Sequence, residues 1–260
     1  MIRKAIIFGI RGTSLNKEES LFIKSVKPWG IILFSRNIKN LFQLKLLIKN
    51  IKKIIRDKNY PILIDQEGGR VTRLDKIIDF SLFSQGYFGK MYSKDKKNFK
   101  KKYKIYVDKV CEILVSAGIN INTIPVLDVL GKKSHKIIGD RSYSTNPKIV
   151  KKIGNISIDL FKDHKIATVI KHIPGHGAAK SDSHFKLPII KKSRAELNKK
   201  DFMPFKKSNS FFAMTAHVIY SAYDSENVAT HSKIIIGKVI RKYIGFKGIL
   251  ISDDISMRAL

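Results

Sequence analysis

Asp182 and His184 are two apart in Ser181-Asp182-Ser183-His184, and a carboxylate beside an imidazole can fix the ring's tautomer and raise its proton affinity. Such a pair is able to give a proton near neutral pH and take it back. Other groups capable of chemistry each follow a short apolar run. They are Asp65 to Arg73 (Asp65-Gln66-Glu67-Gly68-Gly69-Arg70-Val71-Thr72-Arg73), Asp128 after Val126-Leu127, Arg141 in Gly139-Asp140-Arg141, Lys171-His172, His217 after Ala216, and Asp253-Asp254 after Ser252. A solitary carboxylate in such a place is more often a helix cap than a catalyst. Acidic, cationic and imidazole groups following five separate runs are not explained by capping. His172 and His176 are four apart with His184 nearby, a spacing that would put two metal ligands on one face of a helix. Pro174 and Gly175 stand between them and favour a turn, so neither a metal site nor a cofactor is expected.

These residues must be carried by the apolar runs, of which seven read as strands: Lys4–Ile10, Trp29–Ser35, Pro61–Glu67, Ile119–Val129, Ala167–His172, Phe211–His217 and Gly248–Asp253. Most are near-continuous Ile, Val and Leu, as strands covered on both faces should be. Helical patterns alternate with them. Leu41, Leu44, Leu47, Ile48, Ile51, Ile54 and Ile55 recur at helical spacing, and so do Tyr103, Val107, Val110, Cys111 and Leu114 in a helix ending at Gly118. Asn146-Pro147 reads as a cap and first turn. The alternation predicts an α/β fold, a TIM-type (β/α)₈ barrel with a doubly wound open sheet as the alternative. Residues 1–260 form one catalytic domain in this reading. It lacks the eighth strand and last helices, so it is expected to be C-terminally incomplete. On the seventh strand, alternation lets only one of Asp253 and Asp254 face a barrel's mouth, and spacing leaves open which.

The chain has 260 residues, long enough for a sizeable core. Its 51 basic and 21 acidic residues give a formal charge of +30, which would attract polyanions. The excess is mostly lysine spread along every predicted helix, with no basic stretch interleaved with aromatics. It reads as solvated surface, and no nucleic-acid partner is expected. No apolar run is long enough to span a bilayer, so no membrane association is expected either. Arg3-Lys4 before Ala5-Ile6-Ile7-Phe8 superficially resembles a signal peptide, but the apolar stretch is short and runs into Arg11, so it reads as the first strand. Cys111 is the single cysteine. With no disulfide to form, the expected compartment is the reducing cytoplasm.

The strings Asp65-Gln66-Glu67-Gly68-Gly69-Arg70-Val71, Lys171-His172-Ile173-Pro174-Gly175-His176-Gly177, Asp182-Ser183-His184 and Gly248-Ile249-Leu250-Ile251-Ser252-Asp253-Asp254 resemble the family-3 glycoside hydrolases. More narrowly, they resemble the bacterial single-domain β-N-acetylglucosaminidases (β-N-acetylhexosaminidases) of cell-wall recycling, in order from Trp29-Gly30-Ile31 to the last residues. The resemblance implies a retaining hydrolase that removes terminal N-acetyl-β-glucosamine from peptidoglycan fragments (muropeptides) through a covalent glycosyl-enzyme. It implies Asp253 as nucleophile and His184, partnered by Asp182, as acid and then base. Asp65, Arg73, Arg141, Lys171 and His172 fall at positions of sugar recognition, while His217 and Asp128 are expected to support the site from behind. The expected partners are N-acetylglucosamine-containing cell-wall fragments, met by a monomer. Family members of this branch continue past the nucleophile with an eighth strand and its helices. A β-glucosidase of the same family, and an inactive, polyanion-binding remnant, are the alternatives.

Overall fold

The computed structural model describes residues 2–131, 138–179 and 187–258. The seven apolar runs form one parallel sheet whose order follows the chain: β1 (Lys4–Gly9), β2 (Pro28–Leu33), β3 (Ile62–Ile64), β4 (Ile121–Asn122), β5 (Ala167–Ile173), β7 (Phe212–Thr215) and β9 (Ile249–Ser252). Two short strands outside this sheet, β6 (Ile189–Ile190) and β8 (Ile219–Tyr220), pair with each other. A doubly wound sheet reverses its strand order at a switch point, and this one does not. The sheet is curled, and both edge strands, β1 and β9, line the same hollow.

The helices lie on the outer side, and their apolar stripes face the sheet. On α1 (Leu41–Ile55) the buried residues are Leu44, Leu47, Ile48, Ile51 and Ile55, and the Asn40 side chain accepts from the Gln43 N–H to cap its start. The long α2 (Lys96–Ala117) ends at Gly118 with φ +89, a left-handed cap that glycine adopts without steric cost. Asn146 and Pro147 open α3 (Pro147–Asp163) in the expected way. One apolar cluster lies between sheet and helices, and a smaller one fills the concave side of the sheet: Leu63, Ile121, Val169 and Phe212, with Ile7, Trp29, Ile32, Met214 and Ile251 against them.

Two strands, β3 and β4, fall furthest short of the spans that the sequence predicts. β3 stops at Ile64 because the Glu67 and Gly68 N–H groups both turn back to the Val71 carbonyl. β4 stops at Asn122 because Pro125 has no N–H for a ladder. Beyond it only an isolated bridge joins Val126 to Lys171.

Candidate active site

Side chains on a strand alternate, so a residue two places beyond one that packs inside the curl also faces inside. Applied to the small inner cluster, this rule builds the site. Leu63 is followed by Asp65, Ile121 by Thr123, Val169 by Lys171 and Ile251 by Asp253, and all four of these polar side chains line one cleft at the carboxyl ends of the strands. The cleft has a volume of about 1010 Å³, and Arg73, Arg141, His172 and His176 open onto it as well. The inward position of Ile251 also separates the two terminal aspartates. The Asp253 carboxylate comes within 3.9 Å of His172 Nε2, whereas the Asp254 carboxylate accepts from the Ser256 N–H and hydroxyl just beyond the strand.

The cleft wall carries an alternating set of charges. Asp65 accepts from Lys171 and from the Thr123 hydroxyl (2.6 Å) on Oδ1, and from Arg73 Nη2 (3.0 Å) on Oδ2. Behind it, Glu67 accepts from Arg141 Nε and Nη2, each at 2.8 Å, and pairs with Lys171 Nζ at 2.6 Å. Burial by itself would raise the Asp65 pKa, but the charges of Lys171, Arg73 and Arg141 outweigh it and hold this carboxylate well below the usual range. Glu67 is held below its ordinary value in the same way, with burial opposed and overcome by Arg141 and Lys171. The backbone beneath is set by Gly68 and Gly69, at φ +84 and +62. A Cβ on Gly68 would sit 2.3 Å from the Phe83 carbonyl oxygen. From the other side, the Gln85 side chain donates to the Arg141 carbonyl and accepts from the Val126 N–H, tying the Arg141 turn to the strand β4 region.

A second buried carboxylate organises the histidines. Asp128 is fully buried and accepts from His172 Nδ1 (2.7 Å), the His172 N–H (3.3 Å) and the His176 N–H (2.6 Å). Burial would raise its pKa, but His172 and His176 outweigh that and keep it ionised below the ordinary value. An ionised carboxylate only accepts, so Nδ1 of His172 carries a proton and Nε2 faces Asp253. His176 is pushed down to about 4, first by burial and then by the charge of His172. His217 spans the neighbouring strand ends: its Nε2 donates to the Asp254 carbonyl (3.1 Å), and its Nδ1 accepts from the Thr230 hydroxyl (2.7 Å).

The structure therefore brings together Asp253, Asp65, Arg73, Arg141, Lys171 and His172 at the cleft, with Asp128 and His217 tied by hydrogen bonds to their neighbours. Asp182 and His184 lie outside the described residues. Sequence reasoning passed over Glu67 and Thr123. A usable signal was present, since Glu67 stands two residues beyond Asp65 and Thr123 two beyond Ile121. Among the described residues, no group of three His, Cys, Asp or Glu side chains is placed to hold a metal ion.

The model of the glycosyl hydrolase family 3 N-terminal domain matches residues 5–260. The chain belongs to glycosyl hydrolase family 3. A β-hexosaminidase of Alkalilimnicola ehrlichii is 34% identical over 264 residues, covering 100% of this chain and 74% of that protein. NagZ from Neisseria gonorrhoeae superposes with a TM-score of 0.90 at 31% identity, over 98% of this chain and 75% of that one. Its complex with N-trifluoroacetyl-D-glucosamine superposes with a TM-score of 0.89. A family-3 β-N-acetylglucosaminidase from Paenibacillus sp. gives a TM-score of 0.87 at 29% identity, over 97% of this chain. The chain spans about half of that protein, 48% of its length. For a family-3 chain, the arrangement supplies a carboxylate facing a cleft, cations and a carboxylate suited to both halves of a sugar hydroxyl, and a fixed imidazole beside them.

Proposed function

We propose that the chain is the catalytic domain of a retaining β-N-acetylglucosaminidase that removes terminal N-acetyl-β-glucosamine from peptidoglycan fragments in the cytoplasm. The observation that carries this reading is the convergence of Asp253 with Asp65, Arg73, Arg141, Lys171 and His172 on one cleft of a family-3 fold. Relatives named β-hexosaminidase, and a similar structure holding an N-acylated glucosamine, support the choice of sugar. Asp253 attacks the anomeric carbon and forms the covalent glycosyl-enzyme. The leaving oxygen takes its proton from His184, which Asp182 orients, and the same imidazole then activates the water that releases the sugar. Asp65, Arg73, Arg141, Lys171 and His172 hold hydroxyls and the acetamido group, with Asp128 fixing the ring of His172. We read the curled sheet as seven strands of a (β/α)₈ barrel whose eighth position lies between β9 and β1. In support, Ile6 on β1, Ile249 on β9 and Ile255 just past it line the cleft and are 47%, 44% and 72% exposed. The cytoplasmic placement agrees with a single buried cysteine and with no described helix being long and apolar enough to cross a membrane.

The test is hydrolysis of an aryl N-acetyl-β-glucosaminide, with the matching aryl β-glucoside as comparison. The N-acetylated substrate should be cleaved far faster, and Asp253→Ala should lower kcat by more than about a thousandfold. Undiminished turnover by that variant, or preference for the plain glucoside, would overturn the assignment.

A further inference from the structure

We propose that Glu67 is the positioning residue for the sugar-binding cations: its carboxylate holds the guanidinium of Arg141 and the ammonium of Lys171 in register with the cleft. This rests on the reading above that those two side chains meet the sugar. Glu67 cannot meet it, because its side chain is only 1% exposed and does not line the cleft. Both of its oxygens are occupied from the protein side. Oε2 accepts from Arg141 Nε and Oε1 from Arg141 Nη2, the two-pronged geometry in which a carboxylate fixes a guanidinium in plane as well as in distance. Oε1 also takes Lys171 Nζ.

The environment shows that this carboxylate is itself held rigidly. Its N–H donates to the Val71 carbonyl, its own carbonyl accepts from the Tyr106 hydroxyl at 3.2 Å, and the left-handed Gly68 follows immediately. Lys171 has three N–H donors, and they go to Asp65, Glu67 and Thr123. Its ammonium is thus pinned between two carboxylates and draws neither Asp65 nor Glu67 entirely to itself. Neutralising Glu67 would leave Arg73, Arg141 and Lys171 around Asp65 alone. Arg141 would lose the fork that orients it, and Lys171 would lean toward Asp65, the one group of the set with a carboxylate on the cleft.

The experiment measures N-acetylglucosamine binding by calorimetry and aryl N-acetyl-β-glucosaminide kinetics for the wild-type chain, Glu67→Gln, Arg141→Ala and the double variant. Gln keeps the shape and one acceptor oxygen but loses the charge. Kd and KM should rise by about ten- to a hundredfold in Glu67→Gln, the range known for outer-shell partners that orient metal ligands, with kcat changed by less than about threefold. In the Arg141→Ala background the same substitution should cost a clearly smaller factor, because one of its two partners is already gone. If Glu67→Gln does not fold, Glu67→Asp keeps the charge but withdraws it by one methylene, and should show the same rise in KM to a lesser degree. A folded variant with unchanged KM and Kd, or an equal factor in both backgrounds, overturns the proposal even if the melting temperature falls. A wild-type chain that neither binds nor cleaves overturns the functional reading together with this one.

Discussion

Replacing His176 by Phe should flatten the acid side of the stability profile. The imidazole is 3% exposed, and among the described residues its Nδ1 has no hydrogen-bond partner and the charged groups acting on it are His172, Asp128 and Asp253. Burial, then the charge of His172, brings its pKa down to about 4, against Asp128 and Asp253, which pull the other way. In the unfolded chain the ring titrates near 6.5. Between those two values the unfolded chain binds the proton and the folded one does not, so stability is fully present above about pH 6.5 and falls as pH drops toward 4. A window of about 2.5 pH units is worth roughly 3 kcal/mol at about 1.4 kcal/mol per unit. For a domain of this size that corresponds to about 6–12 °C in Tm. Any strain from the larger phenyl ring adds a cost independent of pH, so the assay is a difference of differences. Melting both proteins at pH 7.5, 6.5, 5.5 and 4.5 should show the wild type losing more stability than the variant, with the gap opening below pH 6.5. Parallel profiles across that range would refute the argument that His176 is buried neutral.

Two further outcomes follow from the cleft's framework. Gly68→Ala places a methyl group 2.3 Å from the Phe83 carbonyl oxygen and 2.6 Å from the Tyr106 hydroxyl, at a φ of +84. It should destabilise by about 1–3 kcal/mol or more, read from urea unfolding, and a variant as stable as wild type would contradict the tight turn. Asp128→Asn exchanges a carboxylate that accepts from three N–H groups for an amide with one acceptor oxygen. It should cost about 3–5 kcal/mol of stability and depress activity toward the aryl N-acetyl-β-glucosaminide, while wild-type activity with an unchanged melt would show that His172 needs no such anchor.

The order of the strands was legible because burial on both faces of a parallel sheet leaves unbroken Ile, Val and Leu runs, and because strands joined by outer helices pair in chain order. Their ends were less legible. Ile119 to Val129 reads as one run in the sequence, yet Pro125 interrupts its ladder, and the backbone that carries Asp128 is held by side chains such as Gln85 instead. The small β6 and β8 pair left no signal, since two-residue strands have no period to detect.

At the site, charge and position at the strand ends exposed the groups facing the cleft but hid the groups behind them. Asp65, Lys171 and Asp253 stand out as members of a set, because acidic, cationic and imidazole groups after several separate apolar runs are not explained by helix capping. Glu67 has a simple structural explanation, as part of a Gly-Gly turn, and its fork with Arg141 joins residues 74 apart in the chain. The choice between Asp253 and Asp254 shows what resolves such cases. Alternation alone was symmetric between them, and the symmetry broke once Ile251 was found packed against the residues inside the curl. The same two-residue step leads from Leu63 to Asp65 and on to Glu67, and from Ile121 to Thr123. One buried reference residue per strand therefore points to inward polar side chains such as Asp65, Thr123, Lys171 and Asp253, while only the structure shows that Asp65 reaches the cleft and Glu67 lies beneath it.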